Sequence, residues 1–425
     1  MGTRGAVALL LSLFFLPTSY ALTTTIAQLF GFPCNSQTLA CPDGRSPNSL
    51  FQSPDGNFYG TAAVTQNIGR VSRGGAVFKV TGSGQFILLF TLTPDATGNF
   101  PRGDVPGHLV EGKNGSLYGV GAFGGTPSPG VLGEDGVIFE ISKTGSGYQV
   151  LHNFCSFANC ADGANPTSLI LGSDGNFYGT AQAGGSFQGA PCQTSGCGTV
   201  FRITPTGVYT VLHTFAGRDG AVPFNLTQAS DGNFYGTTIS GSTNVYRLTP
   251  SGGFSILHSF TSPDHPITGM TLASNGLLYG VSNVTGNAVA TVFDLSTSGT
   301  FQQVAQITEP STRFVIGKFM QASDGNLWTT SSVGGPSNFG TVFAITSNGE
   351  PVQTISFAGT NGLQPAQGVI QASNGNLYGT TTAGGTDSSR KAAFGVIFTL
   401  SPHRSKGTAS QRRSRKAHGY KRSYS

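Results

Sequence analysis

The chain has 425 residues, of which 37% are hydrophobic, 10% are charged and 63 are glycine. Its apolar residues come in short, regular runs without a collagen period, which excludes a disordered or fibrous body and favours a turn-rich all-β domain. The formal net charge is +5, but eight of the 23 basic residues and none of the 18 acidic ones lie in residues 401–425. Residues 1–400 are therefore slightly acidic, which excludes a basic body built to bind nucleic acid.

Residues 1–21 read as a secretory signal peptide. Arg4 supplies the positive start, Ala6 to Leu16 the apolar stretch, and Ser19-Tyr20-Ala21 the small-x-small cleavage site. The apolar stretch is too short to span a bilayer. The mature chain is expected to be exported, secreted or held at the cell surface, with no transmembrane segment. The cysteines agree, falling as Cys34/Cys41, Cys155/Cys160 and Cys192/Cys197. Three local disulfides are expected from that spacing, each closing a small loop.

One short stretch recurs along the body. Asp174-Gly175-Asn176-Phe177-Tyr178-Gly179 places a hairpin turn between an apolar and an aromatic run. Equivalent turns begin at Asp55, Asn114, Asp231, Asn275, Asp324 and Asn374, giving seven copies at spacings of 59, 60, 57, 44, 49 and 50. Each repeat holds four strand-like runs, here Thr167–Leu171, Phe177–Thr180, Gly198–Thr204 and Tyr209–Phe215. The third run occurs seven times, ending with Gly395 to Leu400, but the fourth follows only six of them. The missing copy stands at the other end, as Thr25-Ile26-Ala27-Gln28-Leu29-Phe30.

That offset suits a closed ring and serves no purpose in a linear solenoid. Residues 22–400 are read as a seven-bladed β-propeller of four antiparallel strands per blade, its last blade closed by the N-terminal strand. The first run then lines the channel. Tight turns share one face, and the long connections, with all three cysteine pairs, share the other. Residues 401–425 are expected to form a disordered basic tail, a candidate contact for an anionic surface polymer.

These repeats resemble the Gloeo/Verruco (GloVer-type) tandem repeat of exported bacterial proteins. The likeness runs through Tyr378-Gly379-Thr380-Thr381-Thr382-Ala383-Gly384-Gly385 and Gly340-Thr341-Val342-Phe343-Ala344-Ile345-Thr346. It implies an extracellular or cell-surface propeller of undefined biochemical role. Ser323 to Thr329 also resembles, over a turn and one strand, virginiamycin B lyase-like propellers.

His152, His213 and His258 share one place in the fourth run, each in a different blade. A repeated packing or hydrogen-bonding position is expected there rather than a shared metal. The turn aspartates bring one carboxylate each, where calcium needs several oxygens at one point. No cofactor motif, phosphate loop, nucleophile elbow or HExxH is present. Charged residues assigned to the long connections are the candidate ligand contacts: Arg102, Asp104, Glu134, Asp135, Arg218, Asp219, Asp264, His265 and Arg313. The expectation is a non-enzymatic propeller that binds a glycan or a protein on its long-loop face. The alternatives are a lyase or glycoside-acting hydrolase with its site at the channel mouth, and a structural surface-display protein.

Overall fold

The computed structural model describes residues 25–34, 41–64, 66–68, 71–126, 135–189, 191–261, 264–284, 289–308, 317–387 and 391–401. The signal peptide and the basic tail beyond Ser401 lie outside these residues. Seven antiparallel sheets follow one another and make a seven-bladed β-propeller, as the repeats imply. We number the blades I to VII in chain order. Blade I is typical, with Arg45–Gln52 innermost, then Phe58–Val64, Gly75–Val80 and Phe86–Leu92 outermost. Blade V splits its innermost strand into Asp264–Pro266 and Thr271–Leu272, both paired with Leu278–Val284.

Blade VII takes three strands from the end of the chain and its outermost from the start. Ala27–Gly31 runs antiparallel to Val396–Leu400, with Ala27 opposite Thr399 and Gly31 opposite Val396. Two further backbone bonds of 3.0 Å, from Phe32 N to the Gly395 carbonyl and from Phe394 N to the Phe32 carbonyl, extend the seam.

The recurrent turn does more than reverse the chain. Asp174 accepts a hydrogen bond from the Asn176 amide at 3.1 Å, and its second oxygen accepts one from the Tyr178 hydroxyl at 2.9 Å. Asp55 with Tyr59 (2.8 Å) and Asp231 with Tyr235 (2.7 Å) repeat the arrangement. Where asparagine replaces aspartate the donor reverses, and Asn114 Nδ2 donates to the Tyr118 oxygen at 2.8 Å. Burial opposes ionisation of Asp174, yet bonds from Asn176 and Tyr178 hold its carboxyl below the usual range. The same bond and burial push the Tyr178 hydroxyl up to about 12.

The glycine after that tyrosine has a steric reason. Gly179 lies opposite Phe201 in the register of the second and third strands. A Cβ there would overlap the Phe201 ring and the Ser168 carbonyl. Gly60 under Phe78, Gly119 under Phe139, Gly280 under Phe293 and Gly379 under Phe398 repeat the seat. Blade VI has Thr329 instead, and Phe343 above it is 7% exposed where the other third-strand rings are fully buried.

Neighbouring blades meet through rings. Tyr118 packs on Phe177 at 4.2 Å, Tyr178 on Phe234 at 4.0 Å, and Tyr378 on Phe58 at 4.4 Å across the closure. An outer tier comes from the fourth strands. His152 stacks on Tyr209 (3.8 Å, 5°), His213 on Phe254 (3.8 Å, 2°) and His258 on Phe301 (3.7 Å, 3°). Phe90 on Tyr148 and Phe30 on Phe86 fill the same place in blades I and VII. The repeated packing position expected for the three histidines is present, with its partner ring on the next blade rather than the next strand. His213 also meets Asp219 at 3.0 Å, and His152 meets Asp162 at 3.1 Å.

Two outcomes follow. Gly179→Ala is expected to cost about 2 kcal/mol through overpacking, read as a lower urea midpoint at unchanged slope. Burial pulls His108, His213 and His258 below their ordinary value of 6.5, with Asp219 and Asp264 only partly offsetting the last two. Below that value the unfolded chain binds protons that the folded chain refuses, so stability is lost as pH falls. The urea midpoint should drop from about pH 7 to about pH 5, and His213→Gln should drop less. An equal drop in both would remove His213 from the account.

Candidate functional site

The two faces of the ring differ as the sequence implies. Lys143, in a tight turn of blade II, reaches Ser53 Oγ at 2.7 Å and Asp55 at 3.8 Å in the first turn of blade I, so tight turns sit beside tight turns. The long connections carry the three disulfides, Cys34–Cys41, Cys155–Cys160 and Cys192–Cys197.

The nine candidate contacts do not form one group. Glu134 and Arg313 lie outside the described residues. Arg102 is exposed, with its guanidinium 5.6 Å from the Phe90 ring, and its carbonyl accepts from the Tyr148 hydroxyl. Asp104, Asp264 and His265 were expected in connections, but Asp104 begins one innermost strand and Asp264 and His265 open another. Asp104 is buried and accepts from the Gly74 amide at 2.5 Å, so it ties blade I to blade II. Asp135 uses its carbonyl to hold the Asn165 amide at 2.7 Å. Burial first, then the charge of Asp162, pushes the Asp135 carboxyl up. Its oxygen and the sulfurs of Cys155 and Cys160 lie within 4.8 Å of one another, but the disulfide removes the thiolates a metal needs.

Arg218, Asp264 and His265 do converge. They line a cleft of about 540 Å³ between blades IV and V, together with Ser240, Ser242 and Asn244. The cleft exists because blade IV joins its second strand to its third through residues 241–243 alone, where blade III uses 184–198. Among the described residues no loop folds over it, and the mouth of the seam is open. Its floor is fixed. Asn244 donates to the Asp219 carbonyl at 3.1 Å and accepts from Ser259 Oγ at 2.8 Å. Asp219 spends both oxygens on structure, one on His213 and one on the Ala216 amide at 2.8 Å. The lining thus offers a guanidinium, a carboxylate, an imidazole, hydroxyls and amides, beside the apolar Ile239, Ile256 and Phe260.

Sequence reasoning missed Ser240, Ser242 and Asn244. Their signal was the short connection itself, which differs in length from every longer counterpart. It also missed His108, in the innermost strand of blade II, and Lys318, two residues before the innermost strand Met320–Gln321 of blade VI.

Residues 20–190 and 240–418 match the Gloeobacter/Verrucomicrobia repeat. No curated protein matches the chain. Among solved structures it is similar to the extracellular domain of BT3049 from B. thetaiotaomicron, named as a hybrid two component system, with TM-score 0.53 and 11% identity over 87% of this chain and 42% of that one. The extracellular domain of BT4673 from the same organism, named as a one component system, gives 0.51 and 12% over 88% and 43%. An oligogalacturonate lyase from Vibrio parahaemolyticus gives 0.50 and 10% over 89% and 97%. At such identities these likenesses speak for the fold alone, and the chain spans less than half of the two extracellular domains. The match to the repeat covers most of the sequence, and the chain belongs to the Gloeobacter/Verrucomicrobia repeat family.

Proposed function

We propose that the protein is an exported propeller that binds a glycan on its long-loop face, in the cleft between blades IV and V. The observation that carries this reading is the convergence of Arg218, Asp264 and His265 with Ser240, Ser242 and Asn244 around about 540 Å³. Hydroxyl-rich ligands are held by short polar groups on a rigid frame, with an apolar surface for the sugar face. The floor bonds of Asn244 and Asp219 supply that rigidity before any ligand arrives. The lining carries one carboxylate, which supports binding over the two-carboxylate chemistry of glycoside hydrolysis.

Export is supported by the three disulfides, which fit an oxidising compartment. No helix among the described residues is long and apolar enough to cross a membrane. If residues 1–21 are removed, N-terminal sequencing of the protein recovered outside the expressing cell begins at Leu22. Retention of Met1 would argue for an uncleaved leader.

The binding reading is tested by a glycan and cell-wall polysaccharide screen with the intact chain, then with Arg218→Ala and Asp264→Asn. Each loses charged hydrogen bonds, so affinity for a hit should fall about tenfold or more while the melting temperature stays nearly unchanged. A hit whose affinity neither substitution alters would move the site elsewhere. Turnover of a glycan, abolished by Asp264→Asn, would replace binding with catalysis.

A further inference from the structure

The centre of the ring carries a second group of polar side chains, away from the cleft. In every blade one innermost-strand residue lies opposite the second-strand Tyr or Trp, as Val110 lies opposite Tyr118 and Met320 opposite Trp328. Two residues before it, blade II has His108 and blade VI has Lys318. The other five blades place Ser49, Ser168, Asn225, Gly269 and Gly368 in this layer. The layer therefore holds two basic groups and no carboxylate.

Both basic groups retain accessible surface although protein surrounds them on all sides, as expected of side chains facing an internal channel. Lys318 reaches across to blade IV, where Nζ donates to Thr227 Oγ1 at 2.9 Å. His108 Nδ1 lies 2.7 Å from the Thr167 carbonyl of blade III, which fixes the proton on that nitrogen and leaves Nε2 as an acceptor for a hydroxyl of the ligand. Burial lowers the Lys318 ammonium to about 8, with no acidic group offsetting it. Burial and the charge of Lys318 both lower His108. Among the described residues the enclosed ammonium has one hydroxyl partner, which leaves two N–H donors to spare, and no counter-charge. Such a group costs free energy unless something anionic shares the space.

We propose that the channel at Lys318 and His108 binds an oxyanion, held by charge-assisted hydrogen bonds from Lys318 Nζ with His108 beside it. The same chemistry would accept free inorganic phosphate or the carboxylate of an acidic sugar.

The test is thermal unfolding of the full chain near neutral pH, titrated with phosphate or with glucuronate. A bulky sulfonate salt keeps the ionic strength constant. The wild type should gain stability along a saturating curve. Lys318→Met should be at least as stable as wild type without anion, and its half-saturating concentration should rise about tenfold or more. His108→Gln, which keeps a polar side chain, provides a second variant and should weaken the response in the same direction. Tighter binding of glucuronate than phosphate would identify a sugar acid, and the reverse a free inorganic ion; both uphold the site. No saturable gain in wild type overturns it. So does an equal gain in both variants, which would assign the effect to the basic tail.

Discussion

The ring depends on a steric bargain inside each sheet. The second strand gives up a side chain at Gly179 and its equivalents so that a third-strand ring can lie flat against the backbone. That seat thins the blade, and a thin blade brings the tyrosine of one second strand onto the phenylalanine of the next, at 4.0–4.4 Å. Each such pair adds about 1 kcal/mol beyond the area it buries. The same tyrosine reaches down to the turn aspartate or asparagine, so turn, sheet and seam are fixed by one short stretch of sequence. Blade VI departs from the pattern, with Trp328 and Thr329 in place of Tyr and Gly, and its third-strand ring is correspondingly less enclosed.

Much of this architecture was legible in the sequence because it is local and repeated. The turn and the count of strand runs are one-dimensional signals, and the unmatched fourth run pointed directly to Ala27–Gly31 beside Val396–Leu400. The candidate site was less legible. Asp264 and His265 were recognised as notable but placed in a connection, since the sequence does not show where pairing resumes before Pro266. Arg218 comes from one connection and Ser242 from another, and only the ring brings them to one cleft. His108 and Lys318 are separated by four blades of chain. Each is an ordinary residue in its own stretch of chain, and together they are unusual only in cross-section.

The two faces serve different ends. On the tight-turn face, Lys143 ties its own turn to Asp55 and to Glu111, and little freedom remains there. On the other face the blades differ in connection length, and where the connection is shortest the seam opens. The cleft combines strand ends, at Ser240, Asn244 and Asp264, with short connections that carry Arg218 and Ser242.

The closing strand joins residues that are far apart in the chain. Ala27–Gly31 precedes blade I, yet its sheet partner Val396–Leu400 follows blade VI. Blade I follows soon after, and Phe30 stacks on its Phe86 at 4.2 Å while Phe32 meets Phe78 at 5.4 Å. The strand can thus be parked against blade I by its aromatic residues, with one hydrogen-bonding edge left vacant. That vacant edge is the one Val396–Leu400 fills, so closing the ring also removes an edge that could recruit another chain.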